Sequence, residues 1–97
     1  MTTTAIDTTA FEAELRRDGY DDIVLREIPP QTVVKDHSHD FDVRALMLAG
    51  DFTLGCNGTA TTYRPGEVFT MAAGRKHDEA IGAQGASYLV GRRHAKR

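Results

Sequence analysis

His37-Ser38-His39-Asp40-Phe41-Asp42-Val43-Arg44-Ala45-Leu46-Met47-Leu48-Ala49-Gly50 is the stretch on which the reading of this chain turns. In an extended strand alternate side chains share a face, so His37 and His39 are expected to project together. A third imidazole, His77, arrives after Gly50, an Asn57-Gly58 turn and a Pro65-Gly66 turn. Two imidazoles on one strand, met by a third from another, make a divalent-metal site with coordination positions left open. Such a site suits a ligand-binding or catalytic metal better than a purely structural one. Imidazole donors accept Fe, Mn, Ni, Cu or Zn, so one divalent transition metal ion is expected and its identity stays open.

The segments on either side of the histidine pair read as short strands. Ile23 to Glu27 begins one, which Pro29-Pro30 ends. Thr32-Val33-Val34 leads into the pair. Val43 to Ala49 is a nearly continuous apolar run that Gly50-Asp51 is expected to close, and its length favours a buried strand over a helix. Phe52-Thr53-Leu54 runs to Asn57-Gly58, the strongest hairpin signal in the chain, and Thr59 to Arg64 returns. Val68 to Met71, His77 to Ile81 and Ser87 to Val90 follow as strands, with 72–76 a loop and Gly82 and Gly85 breaking the chain. Many short strands separated by turn signals predict an all-β sandwich or barrel. Parity with the histidines assigns Val43, Ala45 and Met47 to the interior, with Phe69, Met71, Tyr88 and Val90 as candidates for the same lining. No tryptophan and few aromatic residues predict a small, mainly aliphatic cavity, into which Tyr63 and Tyr88 are candidate hydroxyl donors.

Before the strands, Thr9 with Glu12 fits a capping box opening a short helix, and Gly19 is placed to stop it. Phe11 and Leu15 would give that helix one apolar stripe. The chain of 97 residues is read as one domain, 1–97, with the strand-built body at about 20–91 and flexible tails at 1–9 and 92–97. A formal net charge of −2 offers no electrostatic case for nucleic acid. Arg92-Arg93-His94 and the basic residues after them are expected to be a solvated tail. No apolar run approaches the roughly 20 residues that span a bilayer, so no membrane partner is expected. The start lacks the pattern of a secretion signal and Cys56 stands alone, and a cytoplasmic setting is expected from both.

Taken in order, these residues resemble the cupin family of small β-barrels, in its small single-domain cupin 2 form. On the family's first motif the opening glycine falls on Gln31, the histidine pair on His37 and His39, the glutamate on Val43 and the closing glycine on Gly50. On the second, the glycines fall on Gly66 and Gly74, the proline on Ala72, the histidine on His77 and the final asparagine on Ile81. The resemblance covers 32–90. It implies a small cupin β-barrel, a double-stranded β-helix of jelly-roll type, with a metal held inside by His37, His39 and His77. The family's glutamate ligand does not carry over, because Val43 occupies its place. Two acids are candidates to replace it, at the metal or as the acid–base group. Asp42 is adjacent but has the wrong parity, so it needs a bulge to turn inward. Glu79 lies two residues after His77 and shares its face in a regular strand. Asp36 and Asp40 fall on the opposite face and are expected to be solvated.

The resemblance implies either a non-haem metal-dependent oxygenase, or a related enzyme such as an isomerase, acting on a small chelating molecule, or a non-catalytic barrel that binds a small molecule or senses a metal. An interaction protein with a vestigial histidine cluster is a third reading. Related barrels pair through sheet edges, so a homodimer is expected, with the segment from Ile23 to Ile28 or the helix near Thr9 in the contact.

Overall fold

A computed structural model describes residues 6–94, so the readings made for 1–5 and 95–97 lie outside the described residues. The order of elements is α1 (Thr9–Arg17), β1 (Asp22–Ile28), β2 (Val33–His37), β3 (Phe41–Cys56), β4 (Thr59–Tyr63), β5 (Val68–Met71) and β6 (His77–His94). The two long strands, β3 and β6, form an antiparallel ladder from Phe41↔His94 to Gly55↔Asp78. Each shorter strand pairs with one half of it. β1 joins β6 at Ala86 to Arg92, and β5 joins β3 at Val43 to Leu46. At the other end β2 joins β6 near His77 to Ala80, and β4 joins β3 at Phe52 to Cys56.

The two halves fold face to face. Phe52 of one half stacks on Phe69 of the other, with centroids 4.6 Å apart, and meets Tyr88 edge-on. Ala45, Met47, Phe69, Met71, Tyr88 and Val90 all enter this core, as parity predicts, with Phe52, Leu54 and Ile81 opposite. The interior is more aromatic than expected, because Phe52, Phe69, Tyr88 and the flanking Tyr63 gather in one cluster. The ladder does not close. Its sheet runs β1-β6-β3-β4 with β2 and β5 as side branches, so the expected barrel is an open one.

Gly50 does not end a strand, and Gly82 and Gly85 do not end one either. β3 runs through the first and β6 through the other two. The glycines bend the ladder instead. Gly50 and Gly85 have φ of +75° and +77°. A Cβ on Gly50 would lie 1.8 Å from the Gly85 carbonyl oxygen, so no side chain fits at this crossing. Register shifts after Met47 and after Gly50 leave the residues around Gly82 to Gly85 outside the pairing. The hairpin at Asn57-Gly58 has positive φ at both central residues, as a type I′ turn requires.

β6 also continues past Val90, which corrects the reading of Arg92, Arg93 and His94 as a tail. Each has a partner that an extended strand brings within reach. Arg93 forms an ion pair with Asp42 at 2.9 Å, His94 lies 3.1 Å from Asp22, and the Arg92 guanidinium sits over the Phe41 ring.

α1 covers the outer face of the sheet. Phe11, Leu15 and Tyr20 pack on Leu46 and Leu89, and Leu15 is fully buried, a contribution of roughly 1.5–3 kcal/mol. The cap is one residue earlier than the capping box predicts. Thr8 is the N-cap, and the Asp7 carboxylate accepts the Thr9 N–H at 2.9 Å, which places Thr9 inside the first turn. At the other end Gly19 has φ of +86°, with the Tyr20 N–H donating to the Leu15 carbonyl and the Gly19 N–H to that of Arg16. Arg44 donates to Asp18 at 2.7 Å, and the guanidiniums of Arg44 and Arg93 both lie over the Tyr20 ring.

Hydrogen bonds from Arg17 and then Arg44 hold the Asp18 carboxyl down at about 2, against an ordinary 3.8. Because the folded value is the lower one, the clamp is fully present above about pH 4 and is lost as pH falls through about 2. We expect Asp18→Asn to lower the melting temperature at pH 7 and to flatten its dependence between about pH 4 and 2. Thermal unfolding followed against pH in both proteins checks this.

Candidate metal centre

The pairing of β2 with β6 decides which side chain faces His77. Val33 pairs with Ala80 and Val34 with Glu79, so a regular register would next set Asp36 opposite His77. A bulge inserts one residue, and His37 takes that place instead. The bulge thus puts an imidazole where a carboxylate would otherwise stand. Asp36 stays exposed, as does Asp40. β2 ends at His37, so His39 belongs to the connection to β3 rather than to the strand. It still reaches the same place. The His37 and His39 rings are 4.9 Å apart, His39 and His77 5.3 Å, and His37 and His77 4.2 Å. Phe41 stacks on the far side of His39 at 4.8 Å.

Glu79 completes the group. It shares the inward face of β6 with His77, and its Oε2 lies 3.0 Å from His37 Nε2 and 3.2 Å from His77 Nε2. One ligand atom from each of His37, His39, His77 and Glu79 falls within 4.8 Å of the others, a group that can hold a metal ion. Val43 is apolar and packs on the core, so the carboxylate comes from β6 and not from the position on β3 where the cupin motif carries one. Asp42 is not part of the group. The register around it is regular, so its side chain keeps the outward parity of β3. There its Oδ1 accepts the Ala73 N–H at 2.8 Å and its Oδ2 pairs with Arg93, fastening the 72–76 loop to the sheet. His94 also lies apart, on Asp22.

The donor chemistry fits a cation. The Nδ1 atoms of His37 and His77 lie 3.1 Å and 3.0 Å from the carbonyl oxygens of Lys35 and Arg75. Carbonyls only accept, so each Nδ1 carries the proton and a neutral ring turns the Nε2 lone pair inward. Those lone pairs face a carboxylate oxygen, which also only accepts. Acceptors this close need positive charge between them, from protons or from a metal ion. His39 is held below its ordinary value of 6.5, chiefly by burial, which favours the neutral ring that can ligate near pH 7. Among the described residues His77 is the one polar or charged residue buried outright, so it anchors the group while His37 and Glu79 remain partly open to solvent.

The group lies in a cavity of about 270 Å³. Its apolar wall includes Phe41, Val43, Phe52 and Phe69, and Tyr88, Arg26 and Arg92 also line it. Burial raises the Tyr88 phenol above its ordinary 10, so its hydroxyl stays protonated. Tyr63 does not line this cavity. The two arginines are the site residues that sequence reasoning missed. Arg92 was hidden in an apparently basic tail. Arg26 had a legible signal, a charge at an inward position between Val24 and Ile28.

No family model matches the sequence, and no curated protein matches it. Solved structures do match. A cupin-2 domain protein from Shewanella frigidimarina aligns with a TM-score of 0.60 at 16% identity, over 70% of this chain and 65% of that one. The EutQ protein of Clostridium difficile aligns with a TM-score of 0.68 at 16% identity, over 77% of this chain and 57% of that one. This chain thus spans less than two thirds of the length of either. Bacillus subtilis oxalate decarboxylase, a protein with Mn(II) centres, aligns with a TM-score of 0.64 at 19% identity, over 77% of this chain but 21% of that one. The chain has the cupin fold. No helix among the described residues is long and apolar enough to cross a membrane.

With zinc added, we expect His37 and His77 to show Nδ1–H tautomers in a long-range proton–nitrogen NMR spectrum, with Nε2 bearing the metal-bound shift. Protonated Nε2 on either ring in the zinc-loaded protein would contradict the orientation described.

Proposed function

We propose that this chain is a metal-dependent cupin whose centre is formed by His37, His39, His77 and Glu79, and that it acts on a small chelating molecule as a non-haem metal oxygenase or a related enzyme. The observation that carries the reading is the convergence of four acceptor-type donors at one end of a largely apolar cavity. Three neutral imidazoles alone would leave a divalent ion with its full charge. Glu79 removes part of it, which makes this carboxylate a ligand more readily than a free base. When bound, the metal supplies Lewis acidity to a substrate oxygen. The chain's own residues do the rest. The Lys35 and Arg75 carbonyls orient two ligands, and the Phe41, Phe52 and Phe69 rings give the cavity an apolar wall. The same centre without turnover would be a ligand-binding or metal-sensing module, and assay under oxygen separates the two.

Assembly belongs to the same proposal. Among the described residues no strand pairs with the outer edge of β1, and Leu25 on it is 56% exposed, which supports a homodimer formed through the segment from Ile23 to Ile28.

We expect the purified protein to take up about one divalent transition metal ion per chain. His37→Ala, His39→Ala, His77→Ala and Glu79→Gln should each weaken metal affinity by more than the roughly 10–100-fold that loss of an outer-shell partner costs. Asp42→Ala should leave it unchanged. Titration with zinc in competition with a chelator reads all five. Equal affinity in all five variants and the wild type would remove the centre.

A further inference from the structure

Two arginines line the metal cavity, one from β1 and one from β6 itself. Inward parity on β1 runs Asp22, Val24, Arg26, Ile28, since these pair with the inward residues Arg92, Val90, Tyr88 and Ala86 of β6. Val24 and Ile28 pack on the core. Arg26 stands between them, on the same face and directly opposite Tyr88, and it lines the cavity. An apolar residue would be ordinary at such a position. Arg26 is exposed, so water solvates its charge and an arriving anion can take that water's place. Among the described residues Arg26 has no ion-pair partner. Arg92 enters from β6, opposite Val43. Its guanidinium lies 5.5 Å from the Phe41 ring centre, and Phe41 in turn stacks on His39, so a fixed aromatic layer joins this cation to the ligand group. Among the described residues its one carboxylate partner, Asp22, is 3.9 Å away, too far for a hydrogen bond, and that carboxylate is shared with His94 at 3.1 Å.

The cavity therefore holds two guanidiniums against a single carboxylate, Glu79, before any metal charge is added. Both arginines line the cavity that holds the ligand group, so an anion drawn to the metal position meets their positive charge as well. A cavity of about 270 Å³ suits a small metabolite. We propose that the substrate of this centre is a small carboxylate. One end of it meets the metal position at His37, His39, His77 and Glu79, and a carboxylate of it is gripped by Arg26 and Arg92. The substrate class rests on the functional reading given above. The guanidinium subsite does not, since it is built from residues outside the ligand group. Planar guanidinium forks suit the flat carboxylate group, and two of them fix its direction.

The test uses malonate as the probe, with malonamide as its uncharged counterpart. Both are titrated calorimetrically into zinc-loaded and metal-free protein, and into Arg26→Gln and Arg92→Gln. Neither arginine is a metal ligand in this account, so zinc affinity should stay at the wild-type level in both variants. Malonate should bind the zinc-loaded protein, and each substitution should weaken it by about tenfold or more, as loss of a charge-assisted hydrogen bond implies. Malonamide should not compete. Malonate bound equally well by the wild type and both variants would overturn the proposal, leaving capture by the metal alone. Equal binding of malonamide would overturn it too. If the protein takes up no zinc, the metal reading fails separately, and the subsite is judged on metal-free protein. There, malonate at millimolar concentration must shift the backbone amide signals of Phe41 and Tyr88 in the wild type and not in the two variants, and its failure to do so overturns the proposal.

Discussion

The ladder between β3 and β6 carries every other strand, and it can fold back on itself only because two glycines meet at its middle. With a Cβ on Gly50 the Gly85 carbonyl would have no room, and the halves could not close over Phe52, Phe69 and Tyr88. That closure also positions the centre. His77 and Glu79 lie on the half of β6 before the bend, while Tyr88, Val90 and Arg92 lie on the half after it. The cavity is the space between these two stretches of one strand. A straight β6 would place its arginine and its histidine far apart, at about 3.3 Å per residue.

Within that frame the ligand group depends on a smaller irregularity. One extra residue in β2 exchanges Asp36 for His37 opposite His77. The exchange sets an imidazole and not a second carboxylate beside Glu79, and so a softer donor set. Backbone carbonyls two residues upstream hold both rings in one tautomer. The centre thus has its orienting bonds supplied by β2 and by the 72–76 loop that leads into β6. On the outer surface a second set of charges does structural work only. Asp18 and Asp42 pair with Arg44 and Arg93, and these fasten α1 and the 72–76 loop to the sheet.

The parity of the strands was legible in the sequence, and it correctly sorted Ala45, Met47, Phe69, Met71, Tyr88 and Val90 to the inside. The same parity argument left Asp42 and Glu79 as rival carboxylates, and the register brings only Glu79 beside the histidines. β3 is regular at Asp42, whereas β6 keeps Glu79 on the face of His77. Three features escaped because they are departures from local pattern. The bulge at Lys35 and Asp36 has no residue signature. His39 reaches the group from a connection and not from a strand, so its placement there did not come from alternation. The glycines at 50, 82 and 85 looked like strand ends, since a lone chain segment does not reveal that its partner bends with it. The basic run at 92–94 looked solvated because its partners, Asp22, Asp42 and Phe41, are distant in sequence.

The central claim is that β6 supplies a carboxylate to a three-imidazole centre whose β3 glutamate position is a valine. X-ray absorption at the zinc edge, on the loaded wild type and on Glu79→Gln, addresses it most directly. The account predicts outer-shell scattering from three imidazoles in both proteins, with one first-shell oxygen present in the wild type and changed or lost in the variant. Fewer than three imidazoles in the wild type, or identical first shells in the two proteins, would contradict it.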